Sequence, residues 1–150
     1  MKTAATEFGR IVVVALMVTP DGRYLMQLRD DIPSIWLPNH WGLFGGNIDP
    51  GEDEEEALAR ELFEELEFRP RRAARFTAMD LTLPTAPPRT DRMVFFEVPV
   101  TEQEIAAMVQ HEGGGKRLFQ PEALAVEPNV APWDLAAVLM HARRARLFGR

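Results

Sequence analysis

Eight apolar residues run without interruption from Ile11 to Val18. The run is rich in valine and closes on Pro20-Asp21-Gly22, so it predicts a buried strand over Ile11 to Thr19 followed by a turn. From Tyr24 to Arg29 the pattern changes to alternation. Tyr24, Met26 and Leu28 fall on one face and Leu25, Gln27 and Arg29 on the other. That period predicts a second strand, paired with the first as a hairpin. Asp30 to Asn39, with Pro33 and Pro38, reads as a loop. Trp41 to Phe44 reads as a short strand that ends at Gly45-Gly46, and Asn47 to Gly51 as the loop beyond it.

The period then becomes helical. Ala57, Leu58, Leu62 and Leu66 form one stripe, which predicts a helix over Asp53 to Leu66. Asp53 with Glu56 makes a capping box at its start, and Pro70 lies beyond its end. Further strands are predicted over Arg75 to Leu83 and Met93 to Val100, separated by a loop with three prolines. Thr101 with Glu104 opens a short helix. Gly113-Gly114-Gly115 forms a turn, Leu118-Phe119 a short strand, and Trp133 to Leu147 a C-terminal helix. Strands and helices intermix without a repeat or a linker. The fold class is therefore α+β with a mixed sheet, in a single domain over residues 1–150.

Composition narrows the functional classes. The 150 residues contain no cysteine, which removes thiolate chemistry, Cys-ligated zinc and iron–sulfur clusters. The first apolar run is too short to span a bilayer. The polar start, Met1 to Arg10, lacks the layout of a signal peptide. A cytoplasmic protein is expected, without a membrane partner. The net charge of −6 argues against coating nucleic acid. That charge is concentrated. Residues 52–67 hold nine acids and one base, Arg60, and carry −8, whereas the rest of the chain carries +2.

Glu61, Glu64 and Glu65 stand at i, i+3 and i+4 on the predicted helix and so project from one side of it. Like charges at this spacing repel by roughly 0.2–0.5 kcal/mol per pair. A hard divalent cation, Mg²⁺ or Mn²⁺, would relieve that repulsion. Gly45-Gly46, just upstream, allows close approach of backbone to a ligand. A strand–loop–helix metal site of this kind suits metal-assisted hydrolysis of a phosphate or pyrophosphate. A solvated acidic helix is the plainer reading of the same residues.

The stretch from Gly46 to Phe68, GNIDPGEDEEEALARELFEELEF, resembles a Nudix box. The family pattern is glycine, five residues, glutamate, seven residues, Arg-Glu, an apolar residue, any residue, Glu-Glu, any residue, glycine and an apolar residue. Gly46, Glu52, Arg60, Glu61, Leu62, Glu64, Glu65 and Phe68 fit it. At roughly 6% usage per residue type, six fixed positions coincide about once in ten million starts. Flanking residues are similar to the family too: Gln27-Leu28-Arg29-Asp30, Trp41 to Gly45, and Glu112-Gly113. One position departs, since Glu67 replaces the family's second glycine. Glycine there would take the left-handed turn that ends the helix, and a glutamate at such a φ is strained by about 1 kcal/mol.

The resemblance implies a Nudix α/β/α sandwich with a central mixed sheet. It implies metal-dependent cleavage of a nucleoside diphosphate linked to another group, a small-molecule nucleotide being the partner. Carried over residue by residue, Glu61, Glu64 and Glu65 would bind metal with a backbone carbonyl at Gly45 or Gly46. Glu52 and Arg60 would hold the loop against the helix. A box glutamate, or Glu112 from a later loop, would orient the attacking water. Arg29, Trp36 and Arg92 are the substrate-binding candidates. His40, His111 and His141 share no ligand spacing and are set aside as ligands.

The substrate stays open among nucleoside triphosphates, nucleotide sugars and ADP-ribose. The SQPWPxS-like string of NADH cleavers is absent. So is the tyrosine after the box of dinucleoside polyphosphate cleavers, since Tyr24 is the only tyrosine. Pro84, 16 residues past the box, points weakly to ADP-ribose. The oligomeric state, monomer or homodimer, is open as well. The alternative from another class is a non-catalytic nucleotide-sensing module of the same fold, for which Glu67 is the sequence support.

Overall fold

The computed structural model describes residues 8–149. The first seven residues, on which the reading of a leader-free start largely rests, lie outside that range. Seven strands form one mixed sheet: β1 (Ile11–Val18), β2 (Tyr24–Leu28), β3 (Trp41–Gly42), β4 (Phe44–Asn47), β5 (Ala74–Leu83), β6 (Arg89–Pro99) and β7 (Gly115–Phe119). The central path runs β3-β2-β1-β6-β5, with β4 added to β1 and β7 to β2. The helices are α1 (Glu54–Leu66), α2 (Glu102–Ala107), α3 (Pro121–Val126), α4 (Pro132–Ala142) and α5 (Arg144–Phe148).

β1 explains its own apolar run. It is the central strand, parallel to β6 from Ile11↔Arg92 to Val18↔Pro99, and both its faces are covered. Val13, Ala15 and Met17 pack with Ala57, Leu58, Leu62 and Leu66 of α1. Val14 and Leu16 pack on the other side with Leu124 of α3 and with Ala137 and Val138 of α4. A strand buried on both faces has no polar face to alternate with. The result is three layers, helix–sheet–helix.

Several local expectations hold. Both capping boxes form, Asp53 with Glu56 and Thr101 with Glu104. Others are corrected. The β1–β2 hairpin is in register only at Val18↔Tyr24, because β4 occupies the neighbouring edge of β1 from Val12↔Asn47 to Ala15↔Phe44. The single strand expected over Trp41 to Phe44 is split: β3 pairs with β2, while β4 pairs with β1 and continues through both glycines to Asn47. The predicted C-terminal helix breaks at Arg143, with φ −105° and ψ 15°. The His141 carbonyl there accepts from Arg144 Nη1 at 2.8 Å. α3 was not predicted, since six residues starting at a proline are too short to show a helical period.

Candidate active site

β4 and α1 meet at two glycines. A Cβ on Gly45 would collide with the Val13 carbonyl oxygen, so glycine is required for β4 to lie this close to β1. A Cβ on Gly46 would strike the Glu61 carboxylate. Gly45 thus lets β4 close onto β1, and Gly46 clears the space that Glu61 fills from the helix. Glu65, one turn on, is buried at 6% exposure. Its Oε2 has no hydrogen-bond partner. Burial, reinforced by the charges of Glu61 and then Glu112, pushes the Glu65 carboxyl up to about 8. Burial raises Glu61 as well, against the pull of Arg60. Glu64 differs from both, because its side chain is 58% exposed at the helix edge.

Arg60 organises the loop between β4 and α1. Its Nε donates to Glu52 Oε2 at 2.7 Å and its Nη2 to Glu52 Oε1 at 2.9 Å, a two-pronged contact that fixes both partners. Nη2 also reaches the Asn47 carbonyl at 2.9 Å. Nη1 donates to Glu61 at 2.9 Å and to Glu64 at 3.2 Å. Glu52 closes the loop by accepting from the Asp49 N–H. Its carboxyl is held below the usual range, chiefly by Arg60.

Glu112 is exposed, on the segment between α2 and β7. The His111 N–H donates to the Glu65 carbonyl at 2.9 Å and the Gly114 N–H to the Leu28 carbonyl at 2.8 Å. The segment is therefore tied to α1 on one side and to β2 on the other. Among the described residues, no three His, Cys, Asp or Glu side chains meet as a ready metal cage. Arg60 Nη1 engages Glu61 and Glu64 together. The donor set itself fits a hard divalent cation. It offers carboxylate oxygens only, it is negative, and one buried carboxylate oxygen is unpaired.

A cleft opens beside this acidic end. One part, of about 270 Å³, reaches Glu65, Glu112, Gln27 and Asp134. A second part, of about 410 Å³, reaches Gly46, Trp36 and Asp91. Val12, Arg29, Ile35, Gly45, Met93 and Trp133 line both, so the two are continuous. Arg29 lies at the junction, with its Nε donating to the Trp36 carbonyl at 2.9 Å. Trp36 packs against Trp133 with the ring planes tilted by 43° and the centroids 4.9 Å apart. Arg92 is elsewhere. It follows the opposite face of β6 from Met93 and pairs with Asp80 at 2.8 and 3.0 Å. Trp41 packs on Phe119 rather than lining the cleft.

Sequence reasoning missed Asp134 and Trp133. Asp134 is buried at 6% exposure and accepts from the Leu43 N–H at 3.0 Å, while its Oδ1 is unpartnered. Burial lifts its carboxyl to about 7. An acid in the first turn of a helix reads from sequence as ordinary dipole complement, so no signal marked it. A larger cavity, of about 680 Å³, lies by Tyr24, Glu97 and Arg144. Several of its polar groups are already paired: Tyr24 with His141, His141 and Arg144 with Glu97, and Arg71 with Glu104.

A NUDIX domain model matches residues 8–140. A nucleoside triphosphatase, NudI of Escherichia coli O1:K1 / APEC, is 43% identical over 54 residues, which are 36% of this chain and 38% of that relative. The chain thus spans well under half of the length of the curated relatives it matches. The MutT protein of Methanosarcina mazei Go1 superposes with a TM-score of 0.74 at 20% identity, covering 95% of this chain and 99% of its own. The NUDIX domain of Shewanella oneidensis NrtR, solved with ADP ribose, superposes at 0.65 and 21% identity, covering 96% and 91%. At these identities the structural likeness speaks for the fold. Among the described residues, no helix is long and apolar enough to cross a membrane.

Proposed function

The chain belongs to the Nudix family, and from that premise we propose that it is a divalent-metal-dependent pyrophosphohydrolase acting on a nucleoside diphosphate derivative. The observation that carries this reading is Glu65, a buried carboxylate with an unpaired oxygen, lifted to about 8 in the company of Glu61 and Glu112. An acid held at that cost beside an open cleft is poorly explained as a solvated helix face. Glu61, Glu64 and Glu65, with a backbone carbonyl at Gly45 or Gly46, would hold Mg²⁺ or Mn²⁺. When bound, such an ion supplies charge neutralisation and polarisation of the diphosphate oxygens.

The protein's own groups supply the rest. Arg60 and Glu52 keep the loop and helix in one geometry. Glu112, at the mouth of the cleft, accepts a proton from the attacking water as its oxygen bonds to phosphorus. The bridging P–O bond then breaks, and its electron pair leaves with the departing group. Arg29 is placed to meet phosphate charge. Trp36 and Trp133 offer an aromatic surface for a base, stacking being worth about 1–3 kcal/mol per base. Arg92, engaged by Asp80, drops out of the substrate set.

The test is a panel of nucleoside triphosphates, nucleotide sugars and ADP-ribose assayed with Mg²⁺ and with Mn²⁺. The NudI relative puts triphosphates first in that panel. Hydrolysis of at least one member is expected. Glu65→Gln should lower kcat by about 10²–10⁴, the usual range for a lost acid–base or charge-bearing group. A Glu65→Gln protein with wild-type turnover would remove the proposed centre.

A further inference from the structure

Glu67 occupies the position where the family pattern has glycine, and it adopts φ 51° and ψ 33°. Its N–H donates to the Phe63 carbonyl at 2.8 Å, the bond of a left-handed helix cap. Only glycine takes this conformation without crowding its Cβ, so the glutamate is locally unfavourable. Its side chain is not idle. Oε2 lies 3.3 Å from Nε2 of His111. The same segment is bound to the end of α1 through its backbone, by Val109 N–H to the Leu66 carbonyl at 3.0 Å and by His111 N–H to the Glu65 carbonyl at 2.9 Å. Glu112 follows immediately. Gln110 Nε2 braces that residue from within the segment, donating to its carbonyl at 2.7 Å.

We propose that Glu67, through His111, is a positioning residue that holds the Glu112 segment against the Glu61/Glu65 end of α1. A glycine at this place would relax the helix exit and leave His111 without its side-chain partner. The chain therefore accepts local strain in exchange for a latch on the residue placed at the attacking water. The proposal rests on the hydrolase reading above, and its test separates the two.

Glu67→Gly is the decisive variant, because the two roles of the residue move in opposite directions. Loss of the strained side chain should raise the melting temperature. Loss of the latch should lower kcat by about two- to five-fold, the scale of an exposed polar contact between side chains, with KM for the nucleotide unchanged. Glu67→Asn, which tolerates the left-handed turn but is too short to reach His111, should show the same fall. Glu67→Gln, which keeps the reach of the side chain and a polar oxygen beside the His111 ring, should recover most of kcat. His111→Ala should match Glu67→Gly, and the double variant should be no worse than either. Hydrogen exchange supplies a readout independent of turnover: the Val109 and His111 amides should exchange faster in Glu67→Gly, without metal or nucleotide. A higher melting temperature with unchanged kcat and unchanged exchange would overturn the latch. If the wild type hydrolyses no member of the panel, the hydrolase reading falls. Exchange then decides the latch alone, faster exchange supporting it and unchanged exchange overturning it.

Discussion

Asp134 shows how a single side chain carries a pH signature. One carboxylate oxygen accepts from the Leu43 N–H, the other has no partner, and burial lifts the group to about 7 from an ordinary 3.8. The folded state thus holds this proton more tightly than the unfolded chain does. Below pH 4 both states are protonated and the contribution to stability is complete. As pH rises from about 4 to 7, the unfolded chain releases its proton first. Stability then falls by up to about 1.4 kcal/mol per pH unit from this group. Asp134→Asn keeps the shape and an acceptor for Leu43 but cannot ionise. Its melting temperature should be flatter than that of the wild type between pH 4 and 7 and higher at pH 8. Parallel curves for the two proteins in a thermal-melt series over that range would show that Asp134 is not the titrating group. None of this was legible in the sequence, where Asp134 is one acid at the start of an apolar helix. Glu61 and Glu65 were legible because their spacing and their place beside Gly45-Gly46 carry the information. Spacing alone put Glu64 with them. It could not tell that Glu64 lies at the helix edge, 58% exposed.

At the scale of elements, the union of β4 and β1 decides where the chemistry sits. Gly45 lets β4 pair with Val12 to Ala15, and that pairing brings Gly46 against Glu61 of α1. A methyl group at Gly45 would meet backbone rather than a side chain that could swing away, so the strand itself must move. Gly45→Ala should destabilise the protein by about 1–3 kcal/mol, the range for overpacking. It should also weaken hydrolysis at temperatures where the variant is fully folded, because Gly46 and Glu61 shift together. Urea denaturation and a steady-state assay measure the two effects. Full activity with reduced stability would show that β4 does not set the position of Glu61. The same junction explains which elements could be read in advance. α1 declares itself through a capping box and the stripe at 58, 62 and 66, all local features. The pairing of β1 with β6 joins residues about 80 apart, and no local pattern encodes it. A hairpin was the natural expectation for two adjacent strands, but β4 takes the same edge of β1 from Val12 to Ala15 and leaves β2 only the pair Val18↔Tyr24.

Across the whole molecule, the layer opposite α1 is fastened by one buried polar chain. His141 of α4 is fully buried, and its Nδ1 meets the Tyr24 hydroxyl of β2 at 2.7 Å while its Nε2 meets Glu97 of β6. Three elements from distant parts of the sequence are joined through one imidazole. A neutral ring satisfies both contacts, with the tyrosine O–H donating to Nδ1 and Nε2–H donating to the carboxylate. Burial accordingly depresses the His141 pKa, even though Glu97 pulls the other way, and burial raises the Tyr24 hydroxyl to about 12. The sign is opposite to that of Asp134. This contribution is present above pH 6.5 and is lost as pH falls below it, when the unfolded chain binds a proton that the folded ring resists. His141→Ala would leave the buried Tyr24 hydroxyl without its partner and open a cavity, which together should destabilise by about 3 kcal/mol, whereas Glu97 keeps Arg72 and Arg144. The substitution should also remove that part of the acid-side loss. The cleft reaches α4 only through Trp133 and Asp134 in its first turn, about two turns from His141, and it does not include His141. kcat and KM of His141→Ala should therefore equal the wild-type values at temperatures well below its melting point. A changed KM under those conditions would mean that the α4 layer transmits its packing to Trp133 and Asp134, which belong to the same helix and line the cleft.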